Sequence, residues 1–140
     1  MQYAFEPMKT PNIVVSDKDQ RRLTTLATDA FERFPDAAKL LLEMARADVV
    51  TAETVPPNVV QMGSVVVFES DNGERRRVKL VFPGEADIAV GKISILTPIG
   101  AALIGLSEGQ SIAWSTRDGR TRHLTIVTVE KVAADAVEHA

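Results

Sequence analysis

The chain has no cysteine, which removes disulfides, thiolate-bound metals and cysteine nucleophiles from consideration. Aromatic residues are nearly as scarce: one Trp114 and one Tyr3 accompany five phenylalanines, so a core must be mainly aliphatic. No stretch approaches the roughly 18 apolar residues of a membrane span, and the N-terminal residues lack the basic start and apolar run of a secretory signal. The expected location is the cytoplasm, with no membrane partner. A positive excess is missing too. The formal net charge is −3, with 7 Lys and Arg against 9 Asp and Glu in residues 1–63, then 9 against 10 in the remainder. Phosphate backbones are gripped by clustered cations, so direct nucleic-acid binding is disfavoured.

Cofactor chemistry finds no foothold either. His123 and His139 are isolated, without carboxylates at ligand spacing, so no metal site is expected. Gly100 and Gly105 have the glycine spacing of a phosphate loop, but Leu106-Ser107 follow where Lys and Ser or Thr are required. No cofactor and no catalytic residue is expected.

What is present divides by period. Residues 16–50 read as helical, with Ser16 as N-cap and Asp17 and Asp19 suited to the positive end of the helix. Leu23, Leu26, Ala27, Ala30, Phe31 and Phe34 form one apolar stripe. Phe34-Pro35-Asp36 breaks it, and Ala37, Leu40, Leu41, Met44 and Ala45 form a second. Two stripes joined by a short break predict an antiparallel helical hairpin, a short coiled coil of roughly 15–17 residues per helix, or about 23–26 Å.

Residues 53–58, with Pro56-Pro57, mark a stiff joint. Beyond it the period becomes two. Strands are predicted over 59–62, 64–69, 75–82 (Val78, Leu80 and Phe82 on one face), 93–96, 110–115 and 121–130, with turns at Asp71-Asn72-Gly73 and Asp118-Gly119. Between them Thr97 is placed to cap a short apolar helix, Pro98 fits its first position, and Gly105 fits the left-handed residue that ends it. The fold class is α+β: a helical hairpin over 1–55, an antiparallel sheet with one short helix over 56–132, and a tail over 133–140.

With these elements placed, most of the chain resembles a known family. Gly63-Ser64-Val65-Val66, Val81-Phe82-Pro83, Ile93-Ser94-Ile95-Leu96-Thr97-Pro98, the helix from Gly100 to Leu106, and Gly109 are similar to the FKBP-like C-terminal domain of the GreA/GreB transcript cleavage factors. Ile13-Val14-Val15-Ser16-Asp17, the Phe34-Pro35 break, and Pro56 with Val59-Val60-Gln61-Met62 resemble that family's Rnk subgroup, named for regulation of nucleoside diphosphate kinase. The resemblance implies a regulator that binds RNA polymerase at its secondary channel and competes there with cleavage factors. It implies that Leu96, Thr97, Pro98 and Ile99 form the polymerase-facing corner; the cleavage factors usually carry Asp or Asn at the position of Leu96, followed by Ser-Pro.

Cleavage itself is not expected. Family members that stimulate it deliver a tight Asp-x-x-Glu pair on a much longer arm, whereas this tip offers Glu32 and Asp36, with Asp29 a turn earlier. Glu32 and Asp36 read as solubilising tip charges or as contacts at the channel mouth. Arg75 and Arg77 alternate away from Arg76, either as a solvated edge that discourages aggregation or as contacts for an acidic partner. Three other readings stay open. The chain could be a true cleavage and elongation factor using Glu32 and Asp36. It could be an isomerase-like or other protein-binding module, although only Phe68, Phe82 and Trp114 supply aromatics to the sheet half. Or it could regulate nucleoside diphosphate kinase, through transcription rather than by contact. Nothing in the sequence sets the oligomeric state.

Overall fold

The computed structural model describes residues 11–116 and 118–130; the expected tail over 133–140 lies outside them. Ser16 ends a short strand, β1 (Val14–Ser16), and begins α1 (Asp17–Ala30), its hydroxyl accepting the Asp19 N–H at 3.0 Å. The partner helix α2 spans Asp36–Arg46. At a rise of 1.5 Å per residue these helices are about 21 and 16 Å long, shorter than the sequence suggested. The reason lies at the tip, where the Arg33 and Phe34 N–H groups both turn back to the Ala30 carbonyl. Phe31 and Phe34 therefore leave the buried stripe and stand exposed, and Ala45 also faces solvent. Leu23, Ala27 and Ala30 meet Ala37, Leu40 and Met44 in the interior.

Helix does not continue to residue 50. Residues Asp48–Val50 form β2, which runs parallel to β1 with Val15 opposite Val49. β-branched residues side by side favour extended chain, and the backbone of β1 offers them a ladder.

The main sheet has five strands: β3 (Val65–Ser70), β4 (Arg75–Val81), β5 (Lys92–Ser94), β6 (Ser111–Ser115) and β7 (Thr121–Glu130), in the order β5-β4-β3-β7-β6. The expected antiparallel sheet is in fact mixed, because β5 lies parallel to β4. Residues 82–91, with two 3-10 turns, carry the chain back before β5 begins. The strand expected over 59–62 is only a bridge between Val59 and Ser107. Two prolines precede it and a hydrogen-bonded turn from Gln61 to Ser64 follows, leaving too little extended chain for a ladder. Phe82, expected on the strand, lies just past its end and is half-buried, while Val81 is buried.

A bulge adjusts β7. Val67 pairs with Thr128 and Phe68 with Ile126, so Val127 is the extra residue. That shift lets Ile126 and Val129, which are out of phase in a regular strand, both be buried. The inner face of Val66, Phe68, Val78, Leu80, Leu124 and Ile126 continues through the short helix α3 (Pro98–Leu103) into the hairpin's Leu23, Leu40 and Met44. α2 packs against α3, and α3 against β6.

Two contacts tie α1 to the chain beyond the prolines. The Arg22 guanidinium lies 4.4 Å from the centroid of the Phe82 ring, and buried Asp19 accepts the Met62 N–H at 3.4 Å. Burial pushes the Asp19 carboxyl above its ordinary value of 3.8, against the Met62 N–H and the charges of Arg22 and Lys18. A raised folded value makes the ionised form a cost to folding. That cost is absent well below 3.8, grows as pH rises from 3.8 toward the folded value, and is complete above it. Asp19→Asn is thus expected to raise the urea midpoint at pH 7 and to lose that advantage near pH 3.5. A variant less stable than the parent at pH 7 would show that the ionic contacts outweigh desolvation.

Candidate protein-binding site

The corner between β5 and α3 is built around the carbonyl of Ser94. It accepts the Thr97 N–H at 3.1 Å and the Thr97 hydroxyl at 2.7 Å. Thr97 Oγ1 in turn accepts the Gly100 N–H at 3.0 Å, capping α3, and the Ser94 hydroxyl accepts the Leu96 N–H at 3.0 Å. Pro98 occupies the first turn, where a missing N–H costs nothing. Gly100 sits so tightly that an added Cβ would lie 2.2 Å from the Ser94 oxygen. At the far end Gly105 has φ +83°, and a Cβ there would lie 2.7 Å from that of Ile13. Only glycine meets both demands.

This geometry sorts the four corner residues. Leu96 and Ile99 turn into the core, at 8% and 9% exposure, while Thr97 and Pro98 are half-exposed. Of the four residues expected to form the corner, Thr97 and Pro98 make its accessible surface, while the Leu96 and Ile99 side chains pack behind it. Ser94 organises the corner, yet a serine three residues before a Thr cap carries no distinctive signal in sequence.

Arg75 and Arg77 lie on β4, the strand beside β5, toward the end opposite the Val81–Ser94 pair that leads into the corner. Arg75 pairs with Glu69 at 3.2 Å and Arg77 with Glu130 at 3.3 Å, both exposed, and the Arg76 guanidinium lies 6.0 Å from the Phe68 ring centroid. The arginines are thus partly answered within the sheet, and exposed pairs of this kind contribute little to stability. Glu32 is exposed at the hairpin tip and Asp36 opens α2. Among the described residues no three His, Cys, Asp or Glu side chains gather in a way that could hold a metal ion. His123 lies beside Asp71, Nδ1 to Oδ2 3.7 Å. The His123 backbone N–H, with Arg122, holds the exposed Asp71 carboxyl below its usual range. Asp71 anchors the β3–β4 turn against β7 in this way.

Sequence reasoning did not anticipate how much apolar surface the hairpin exposes. Phe31, Phe34, Leu42 and Val49 are all open, as are Ile88 and Val90 in the turn before β5. The spacing of Phe34, Ala38, Leu42 and Ala45 is visible in the sequence, but the buried stripe beside it dominates the pattern.

Comparison with known proteins gives this geometry its context. The family model "Transcription elongation factor, GreA/GreB, C-term" matches residues 55–131, and "Rnk N-terminus" matches residues 11–50. The "Regulator of nucleoside diphosphate kinase" of Escherichia coli K12 is 35% identical over 125 residues, covering 88% of this chain and 92% of that protein. A "Transcription elongation factor GreA" from Nitratidesulfovibrio vulgaris is 38% identical over 78 residues, 55% of this chain and 49% of that protein. A solved structure described as "Prokaryotic transcription elongation factor GreA/GreB from Nitrosomonas europaea" superposes with a TM-score of 0.69 at 39% identity, covering 85% of this chain and 99% of that one. No helix among the described residues is long and apolar enough to cross a membrane. On sequence and structure together, the chain belongs to the GreA/GreB family, with an N-terminal segment of the Rnk type.

Proposed function

We propose that this protein is a non-catalytic transcription regulator that docks on RNA polymerase at the secondary channel and competes there with cleavage factors without stimulating cleavage. In this reading residues 56–132, with an FKBP-like sheet used as a binding scaffold, provide the docking half. Residues 1–55 provide a short arm, and the protein acts in the cytoplasm. The observation that carries the reading is the arm itself beside a Gre-type corner. Its helices have only 14 and 11 residues, and its tip presents Phe31 and Phe34 rather than a tight acidic pair. Any effect on nucleoside diphosphate kinase would then run through transcription.

The test is binding of the labelled protein to core RNA polymerase with and without saturating GreA, alongside a cleavage assay on backtracked complexes. Binding displaced by GreA, with no cleavage, is the expected result. Binding indifferent to GreA would sink the shared site. Cleavage that is stimulated, and lost in Glu32→Ala with Asp36→Ala, would establish the cleavage-factor reading instead. Pro98→Glu probes the corner directly. An acidic residue suits the first turn of a helix, so the melting temperature should stay near the parent's while polymerase affinity falls about tenfold or more. Full affinity in this variant would remove Pro98 from the contact.

A further inference from the structure

We infer that the outer edge of β6 pairs with the same edge of a second copy of this chain, antiparallel and about a twofold axis, so that two five-stranded sheets become one. The ladder decides which backbone groups are spare. The Thr116 N–H donates to the Arg120 carbonyl at 2.9 Å, and the Ile126 N–H to the Gln110 carbonyl at 2.9 Å. Both bonds keep the register that sets Ile112 opposite Leu124 and Trp114 opposite Arg122. Antiparallel bonding alternates along a strand. Ile112 and Trp114 therefore spend their backbone groups on β7, while Ser111, Ala113 and Ser115 point theirs outward. β6 is the last strand of the sheet, and among the described residues nothing bonds those outward N–H and C=O groups.

The opposite edge is closed. At β5 the backbones of Asp87 and Lys92 bond each other at 3.0 Å, and the Ser94 carbonyl takes the Thr97 N–H. β6 carries no such cover among the described residues. Its sequence, Ser111-Ile112-Ala113-Trp114-Ser115, also lacks the charges and prolines that keep an edge strand from pairing. The strand is complementary to itself, and this selects a second copy as the occupant. With Ala113 against the partner's Ala113, the backbones of Ser111 and the partner's Ser115 exchange bonds, and every spare group of the strand is used. Ile112 then faces the partner's Trp114 in a non-hydrogen-bonded pair, where side chains approach most closely. Aromatic against β-branched is a favourable cross-strand pair. Ile112 is buried and Trp114 half-buried against the core, so pairing covers indole surface that the single sheet leaves open. No like charges meet across the axis. The corner at Pro98 follows β5, at the other end of the strand order, so self-pairing stands independently of the docking proposed above.

The experiment follows the full chain by sedimentation equilibrium and by amide hydrogen exchange, each over a concentration series. A concentration-dependent dimer is expected. The Ser111, Ala113 and Ser115 amides should slow only where the dimer forms, whereas those of Ile112 and Trp114 should be slow throughout. Ala113 is exposed, so Ala113→Lys and Ala113→Glu should melt with the parent. Each alone sets like charges face to face and should weaken the dimer about tenfold or more. An equimolar mixture of the two should restore it as a mixed pair. A parent that stays monomeric up to about 1 mM overturns the proposal. So does a dimer of parent strength in Ala113→Lys, or a mixture that fails to restore pairing. Slow exchange at Ala113 in the monomer would put the chain's own residues on this edge and exclude the second copy. Should either variant fail to fold, the exchange pattern of the parent decides alone.

Discussion

Replacing Leu96 by aspartate is expected to unfold the protein rather than to remove one contact from its surface. Leu96 lies in the continuous core beside Ile95, and its N–H is already committed to the Ser94 hydroxyl. Burying a leucine is worth about 1.5–3 kcal/mol, and a carboxylate in its place has no partner for its charge. The combined loss should reach about 4 kcal/mol or more, a large share of the roughly 5–15 kcal/mol that holds a domain together. In urea, with a slope near 2 kcal/mol/M, the midpoint should fall by about 2 M. Leu96→Met, which keeps volume and polarity, should cost under about 1.5 kcal/mol. A Leu96→Asp variant that keeps its midpoint but loses polymerase would return this side chain to the binding surface.

Gly100→Ala should be nearly as damaging, with a sign that singles out its cause. In an ordinary helix interior the change gains about 1 kcal/mol. Here the new Cβ would meet the Ser94 oxygen at 2.2 Å, Ile95 Cα at 2.9 Å and the Ser94 carbonyl carbon at 3.0 Å. All three are backbone atoms and cannot swing aside as a side chain would. The Ser94 carbonyl also anchors Thr97, so relieving the clash breaks the cap. We expect a loss of about 3 kcal/mol, read as a fall of roughly 10 °C in melting temperature. Polymerase binding should fall even at temperatures where the variant remains folded. A melting temperature at or above the parent's would mean that the corner relaxes without strain.

The α3 corner was legible from sequence because each of its demands narrows the residue choice: a hydroxyl cap at Thr97, a ring without N–H at Pro98, a left-handed turn at Gly105. The hairpin was legible for the same reason, through Ser16 and the break at Pro35. Elements decided by a distant partner were not. Residues 48–50 become a strand because residues 14–16 lie beside them, a fact with no local signature. The parallel placement of β5 likewise depends on where the connection over 82–91 returns the chain. The burial of Leu96 and Ile99 followed from which way α3 rolls onto the sheet, and periodicity over six helical residues is too short to fix that roll. For Phe31 and Phe34 the error was one of length: the helix stops at Ala30, and the stripe stops with it.

The attachment of β1 to the end of α3 has a consequence for the order in which the chain can become native. The Val14 N–H donates to the Gly105 carbonyl, Ile13 lies over Gly105, and the Gln110 side chain reaches the Asn12 carbonyl 98 residues away in sequence. A chain emerging from the ribosome therefore presents α1 and α2 long before the surface that receives them exists. Helices this short are marginal alone, so Leu23, Leu40 and Met44 stay open to solvent or chaperone until residue 105 has been made. The arm, although synthesised first, cannot be tied to its seat before Gly105 and Gln110 have been made.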